Sequence, residues 1–330
     1  MNSRIPVSIF GATGQVGRHI ATRLAMHPRF CIGQFIGSPA SVGRDYQSVW
    51  QEKESELSAH YGTWYPAFPY PDTIPSHPIL GISDIPDGAI VLSSIPERAG
   101  PDEDALANRG CTIISNSPYR RLDPAVTLAI PGIPYPTDSY IKIPNCATIG
   151  LALALYPIAA LLDAIPLSIS TYQSLSGRGD AKYPQELAIG NVFPLRNSPE
   201  DTEARISAEL HRLIPNLTVS VSCYRTPTPV GHLIDVALVH KGKLTIPQLE
   251  DLWHSHIHAG NACTIRLTND RLHPQSQPDA TVDNGMSISI GNLVDHYDSG
   301  IIRMTIVVNN LVRGAAGSLI MALEQWAADK

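Results

Sequence analysis

Apolar and polar positions divide the chain into two textures. In the first part, "IPVSIFGATGQVGRHIATRLAMHP" predicts a strand over Ile5 to Phe10, a turn on Gly11, Gly14 and Gly17, and a helix from Arg18 to Met26. A second strand follows at "CIGQFIGS", then a loop at "PASVGRDYQSVWQ". "GAIVLSSIP" and "GCTIISNSPYR" are two further short apolar strands with polar carboxyl ends. Strands of this kind alternating with helices predict a parallel sheet whose ligand lies at its carboxyl edge. Tyr61 to Pro78 is rich in proline and aromatic residues and reads as a loop or insertion. Beyond Cys146 the strands are longer and alternate: "LSISTYQSLSG", "TVSVSCYRTP", "LIDVALVHKG" and "GIIRMTIVVNN". They predict an α+β domain with a largely antiparallel sheet. The tail "VRGAAGSLIMALEQWAADK" predicts an amphipathic helix. The expected fold is therefore α/β. A Rossmann-type dinucleotide-binding domain spans 1–145 and is completed by a C-terminal helix at 313–330. A catalytic and dimerisation domain spans 146–312.

Composition narrows the function. Lys plus Arg is 24 and Asp plus Glu is 30, a net charge of −6, which argues against a nucleic-acid partner. The five cysteines, Cys31, Cys111, Cys146, Cys223 and Cys263, are scattered without a CxxC pair, so neither a disulfide framework nor a zinc ribbon is suggested. His254 and His258 share a helix face, but no carboxylate or thiol accompanies them, and no metal site is expected. The longest apolar run, Ile149 to Leu162, is broken by Gly150, Tyr156 and Pro157 and is too short for a bilayer. No signal-type apolar segment opens the chain, and the expected location is cytoplasmic.

The glycine turn brings a helix N-terminus up to a phosphate-binding position, and its glycines allow close backbone approach. The spacing is GxxGxxG rather than GxGxxG. No acidic residue ends the second strand, where NAD-binding chains place one for the ribose hydroxyls. Ser38, Ser41 and Arg44 offer donors to a 2′-phosphate instead, so NADP is the expected cofactor. In "IPNCATIG", Cys146 precedes an apolar run of helical length. It would sit at a helix N-terminus, where the dipole favours thiolate over thiol. Gln173 in "TYQSLSGRG", and Arg225 and His232 in "CYRTPTPVGH", are candidate partners for a polarised acyl group, an anionic substrate and a proton transfer.

Six segments, in order, carry a resemblance to the aspartate-β-semialdehyde dehydrogenase family, its archaeal and fungal branch in particular. They are "FGATGQVG", "HPRFCIGQFIGSPASVGRDY", "SNSPYRR", "IPNCATIG", "RTPTPVGH" and "NNLVRGAAG". N-acetylglutamyl-phosphate reductases share the architecture but follow the cysteine with a Tyr-Pro-Thr pattern; here Ala147-Thr148-Ile149 follows. The resemblance implies that Cys146 attacks an acyl phosphate, leaving a thioester that NADPH reduces to a semialdehyde. His232 would be the acid/base, and Gln173 would orient the acyl group. Arg225 would hold the substrate carboxylate and Arg120 the phosphate. Asn145, Arg205 and Glu209 would complete the substrate site. Gly11, Thr13, Gly14, Gln15, Val16, Ser38, Ser41, Ser94, Gly177 and Asn310 would bind cofactor. The partners implied are an acyl phosphate or semialdehyde, phosphate, and a second or further copy of the chain as homodimer or homotetramer.

Several positions depart from the family pattern. "PGIP" at 131–134 replaces a Pro-Glu-Val-Asn-like run, and "TEAR" puts Thr202 where an acid would meet a substrate ammonium. Leu233-Ile234 replaces Thr-Glu, and Asn292 replaces an arginine. The catalytic group is intact while substrate recognition is altered. First in line is aspartyl phosphate. An acyl-CoA reductase working through the same cysteine, and a catalytically idle nucleotide-binding paralogue, stay open.

Overall fold

The computed structural model describes residues 4–330 apart from 66, 163–164, 179–182, 197–200, 241–243, 259–264 and 297–299. It divides into two compact units: residues 1–144 with 178–185 and 315–330, and residues 145–177 with 186–314.

The first unit is built on six parallel strands in the order β2-β1-β3-β4-β6-β5. They are β1 (Ile5–Phe10), β2 (Phe30–Ile36), β3 (Ile90–Ser93), β4 (Thr112–Ser115), β5 (Thr127–Leu128) and β6 (Tyr140–Lys142). Helices α1 (Gln15–Ala25), α2 (Tyr46–Tyr61) and α3 (Pro101–Asn108) connect them. Helix α1 starts at Gln15, not Arg18, so Gly17 lies inside the helix and not in the turn. There it packs on the Gly11 carbonyl, where no side chain would fit. Helix α2 starts within the stretch expected to be a loop; Asp45 caps it by accepting the Ser48 N–H at 2.9 Å. Phe10, Ile36, Val91, Leu106 and Ile113 form a buried cluster between sheet and helix. Glu103 of α3 and Lys142 of β6, both fully buried, form an ion pair, and Glu103 also accepts from Ser93 and Ser115 at 2.5 and 2.6 Å. This pair ties α3 to three strands. The C-terminal helix, Gly317–Ala328, packs on α1, with Glu324 3.0 Å from His27.

The second unit carries seven strands in the order β11-β12-β13-β10-β7-β9-β8. These are β7 (Pro166–Gln173), β8 (Phe193–Pro194), β9 (Thr218–Arg225), β10 (His232–Val239), β11 (Ile265–Thr268), β12 (Ile288–His296) and β13 (Ile301–Val308). The sheet is mixed. β7 runs parallel to β9 and β11 parallel to β12, while the other four pairs are antiparallel, so the sheet is largely antiparallel as expected. Alternation puts Thr171 and Gln173, Cys223 and Arg225, and His232 and Ile234 on the buried face. Helix α4 (Cys146–Leu155) packs on that face and against α6 (Thr202–Leu213). It is apolar on every side because every side is covered: Ala147 to Leu155 are all buried. Gly150 is required there, since a Cβ would stand 2.9 Å from Val308. The short α5 (Gln185–Ala188), α7 (Ile246–His258) and α8 (Ser276–Ala280) complete the helices, and Trp253 of α7 donates to the Ala154 carbonyl at 2.8 Å. Among the described residues, no helix is long and apolar enough to cross a membrane.

Candidate active site

The cysteine is placed by its helix cap. Asn145 is the N-cap of α4, and its side-chain oxygen accepts the Ala147 N–H at 2.9 Å. The Asn145 N–H in turn donates to Glu209 of α6 at 2.7 Å, and the Thr148 hydroxyl donates to the same carboxylate oxygen at 2.7 Å. A capping box normally takes that glutamate from the third residue of its own helix; here a neighbouring helix supplies it. Cys146 thus sits on the first turn, half-buried, with its sulfur held to one side. On the opposite side, Gly314 lies in a π-helical turn, Val312–Ala316, where an added Cβ would stand 2.6 Å from the Cys146 Cβ. Only glycine lets the chain pass so close.

His232 opens β10 and is fully buried, with Nε2 3.1 Å from Cys146 Sγ. Burial, aided by the Arg225 charge, lowers its pKa to about 3, so the imidazole is neutral at ordinary pH. Arg225 ends β9 directly beside Gln173 of β7 in the parallel register. Its guanidinium is fully buried and donates from Nη1 to the Ser174 carbonyl at 2.8 Å. Gly177 faces this pair: a Cβ there would lie 2.7 Å from Arg225 Nη1 and 3.0 Å from His232 Cε1. Gln173 is buried, its amide donating to Thr171 Oγ1 at 3.2 Å. Cys146, Gln173, Arg225 and His232 therefore gather in one unit at one end of a sheet, joining a nucleophile, a neutral imidazole and a buried cation.

Other expected site residues hold different places. Glu209 and Asn145 brace the nucleophile's helix. Arg205 lies half-buried on α6, one turn before Glu209. Asn310 is buried inside the second unit, where its side chain bonds Ser174, Ser176 and Gly231. Arg120 lies in the first unit, paired with Asp104 at 2.7 Å and Asp123 at 2.8 Å. Ser174, a residue with no sequence signal of its own, was missed; only its contact with His232 reveals it. Helix α7 carries His254 and His258, and among the described residues no cluster of three or more His, Cys, Asp or Glu could hold a metal.

The first unit contains a cleft of about 710 Å³ lined by Gly11, Thr13, Gly14, Ser38 and Ser94, with Arg98 and Asp102 on its wall. A dinucleotide fits it for three reasons. Gly11 has φ of 84° and touches Ser94, so no side chain blocks the turn. Helix α1 has no side-chain cap and no acid in its first turn, leaving its N–H donors for an anion. The buried Gln15 side-chain oxygen has no hydrogen-bond partner. Gln15 and Val16 form the first turn of α1. Ser41 does not line the cleft; its hydroxyl holds the Ser38 carbonyl at 3.0 Å. Arg44 pairs with Glu52.

Residues 6–136 match the model of the semialdehyde dehydrogenase NAD-binding domain. That stretch of the chain resembles the semialdehyde dehydrogenase NAD-binding domain. The whole chain is 25% identical to aspartate-semialdehyde dehydrogenase of Methanothermobacter thermautotrophicus, over 97% of this chain and 98% of that one. It is also 27% identical to a malonyl CoA reductase (NADP) of Metallosphaera sedula, over 98% of this chain and 97% of the relative. Among solved structures, aspartate semialdehyde dehydrogenase with NADP from Candida albicans matches with a TM-score of 0.78 and 22% identity, covering 99% of each chain. That likeness establishes the shared fold.

Proposed function

We propose that this chain is an NADP-dependent reductase that converts an acyl phosphate, first of all aspartyl phosphate, to its semialdehyde through a thioester on Cys146. The observation that carries the reading is the 3.1 Å approach of Cys146 Sγ to His232 Nε2 at the capped start of α4. When bound at the glycine turn, the dinucleotide supplies the hydride. Cys146 supplies the nucleophile, His232 is the acid/base beside it and meets the charge developing on the acyl oxygen, and Arg225 holds an anionic group of the substrate. Ser38 and the main chain around it are the proposed 2′-phosphate contacts. The malonyl CoA reductase relative favours one second reading, thioester exchange from an acyl-CoA followed by the same reduction. Arg120, the residue assigned to phosphate, is engaged by two carboxylates, with which a phosphate would have to compete.

For assembly, the second unit's open sheet face is the proposed contact between two copies. It carries the stacked Tyr172–Tyr224 pair, with ring centroids 5.6 Å apart, and the half-buried Leu233. Light scattering of the purified chain tests it.

A reverse-direction assay decides the activity. Aspartate semialdehyde and NADP, with phosphate, should give NADPH in the wild type and none with Cys146→Ser. CoA in place of phosphate should give less. CoA alone supporting turnover establishes the second reading. No turnover with either acceptor refutes both.

A further inference from the structure

Tyr46, the first residue of α2, is fully buried and stands outside the wall of the glycine-turn cleft, yet its hydroxyl donates to the Ala12 carbonyl at 3.0 Å. Ala12 is buried in the turn between Gly11 and Thr13, both of which line the cleft. The tyrosine is held firmly. Its N–H donates to the His77 carbonyl at 3.1 Å. Its ring stacks on Phe35 with centroids 3.8 Å apart, and Trp50 and Tyr70 meet it edge-on at 5.9 and 6.2 Å. Burial pushes the phenol well above the ordinary tyrosine range, so the hydroxyl keeps its proton. A carbonyl oxygen only accepts, so the direction of the bond is fixed.

A trans peptide is planar, with its C=O and its N–H pointing in opposite directions. The Ala12 carbonyl and the Thr13 N–H belong to one such plane. With the carbonyl held at Tyr46, the Thr13 N–H points the other way, to the side where Thr13 lines the cleft. Neighbouring N–H groups are engaged elsewhere. Those of Gly11 and Ala12 both donate to the Ile36 carbonyl, at 2.9 and 3.1 Å, and that of Gly14 donates to the Gly11 carbonyl at 3.1 Å. Resting on the reading above that this turn holds the dinucleotide, we infer that Tyr46 is a positioning residue. It orients the Ala12–Thr13 peptide so that the Thr13 N–H, just ahead of the first N–H groups of α1, meets the pyrophosphate.

The competing arrangement is the same peptide turned over. Reaching it breaks the tyrosine bond and aims the Ala12 carbonyl, a partial negative charge, at an anion. Phenylalanine at position 46 keeps the ring and its stack but takes the donor from a buried carbonyl, and an unpaired buried carbonyl favours turning over. Tyr70 supplies a matched control. Its ring meets Tyr46, and its hydroxyl donates to the Ile74 carbonyl at 3.0 Å rather than to the turn. Removing that hydroxyl takes the same kind of bond from the same aromatic cluster and leaves Ala12 held.

Calorimetric titration of the full chain with NADPH reads binding without turnover. Tyr46→Phe should weaken it about 10- to 100-fold, the loss of one hydrogen bond to a charged group, while Tyr70→Phe stays within about twofold of wild type. Adenosine 2′-monophosphate, which has no pyrophosphate, should bind Tyr46→Phe within about twofold of wild type. Equal weakening of both ligands means that the whole cleft has loosened and sinks the idea. So does unchanged NADPH binding, or a Tyr70→Phe loss as large as that of Tyr46→Phe. If Tyr46→Phe does not fold, the wild type labelled with nitrogen-15 at threonine still decides. Its Thr13 amide proton, assigned by its loss in Thr13→Ser, should move downfield when NADPH binds; an amide that does not respond overturns the inference. A chain that passes these tests yet turns over with neither phosphate nor CoA refutes the proposed function and leaves the role of Tyr46 standing.

Discussion

Glu209→Gln separates two roles for a buried carboxylate. The family resemblance makes Glu209 a substrate contact; the structure makes it a brace that holds the start of α4. One of its oxygens accepts both the Asn145 N–H and the Thr148 hydroxyl, each at 2.7 Å. Hydrogen bonds to a charged partner contribute about 1.5–3 kcal/mol and neutral ones about 0.5–1.5 kcal/mol. Glutamine keeps the shape and can keep both bonds in neutral form, so the loss is about 1 kcal/mol per bond, or about 2 kcal/mol. Two kcal/mol expressed wholly in the transition state would be about 30-fold in rate. Because part of it loosens the fold instead, kcat should fall between about 3- and 30-fold, with KM for the semialdehyde within about twofold. Iodoacetamide labelling of Cys146 should change with kcat, since both depend on where the sulfur sits. Glu209→Ala leaves both donors unpaired and should lower the urea midpoint further. A raised KM with kcat and labelling unchanged would show that Glu209 touches substrate, and the brace would be wrong.

Gly314→Ala should lower kcat by more than about 10-fold with the circular dichroism unchanged. Its Cβ would stand 2.6 Å from that of Cys146, and overpacking of this kind costs about 1–3 kcal/mol; wild-type turnover would refute the steric argument. Weak discrimination for a substrate α-amino group is also expected. Thr202 is buried, and the neighbouring Glu203 accepts the Cys223 N–H at 2.9 Å and is not available to replace the missing acid. The ratio of kcat/KM for aspartate over succinic semialdehyde should stay below about 1,000, or about 4 kcal/mol; a larger ratio means another acid serves. Stability should fall as pH drops. His232 and His19 ionise near pH 6.5 when unfolded, but burial first, and then arginine charges, lower both to about 3 in the fold. Between about pH 6.5 and 3 the unfolded chain binds more protons, so stability rises with pH across that window and is lost on acidification. A urea midpoint that is flat from pH 7 to 5 would contradict this, and His232→Gln should reduce the slope.

The legible part of this protein was the part that depends on near neighbours in the chain. A strand, a glycine turn and a helix announce themselves in "IFGATGQVG" because backbone reach and helix dipole are local properties. A cysteine at the start of an apolar run was readable for the same reason. So were the long alternating strands of the second unit. Local pattern could not show where Gly17 packs, because its neighbour is the Gly11 carbonyl, brought up by the helix crossing the strand. It could not show that β7 pairs parallel with β9, which rests on the connection through α6. The role of Glu209 was also hidden: its partners are 64 and 61 residues away, and a carboxylate bound for a ligand looks the same in sequence as one bound for a helix cap. Ser174 carries no signal of its own: it meets His232 Nδ1 with both its main-chain N–H and its hydroxyl, each at 3.1 Å, and that meeting depends on strands 58 residues apart in the chain. Residue type sets what chemistry a position can perform. Which atom faces which, and so whether an imidazole offers a proton or a lone pair, is decided only when the strands bring them within hydrogen-bonding distance.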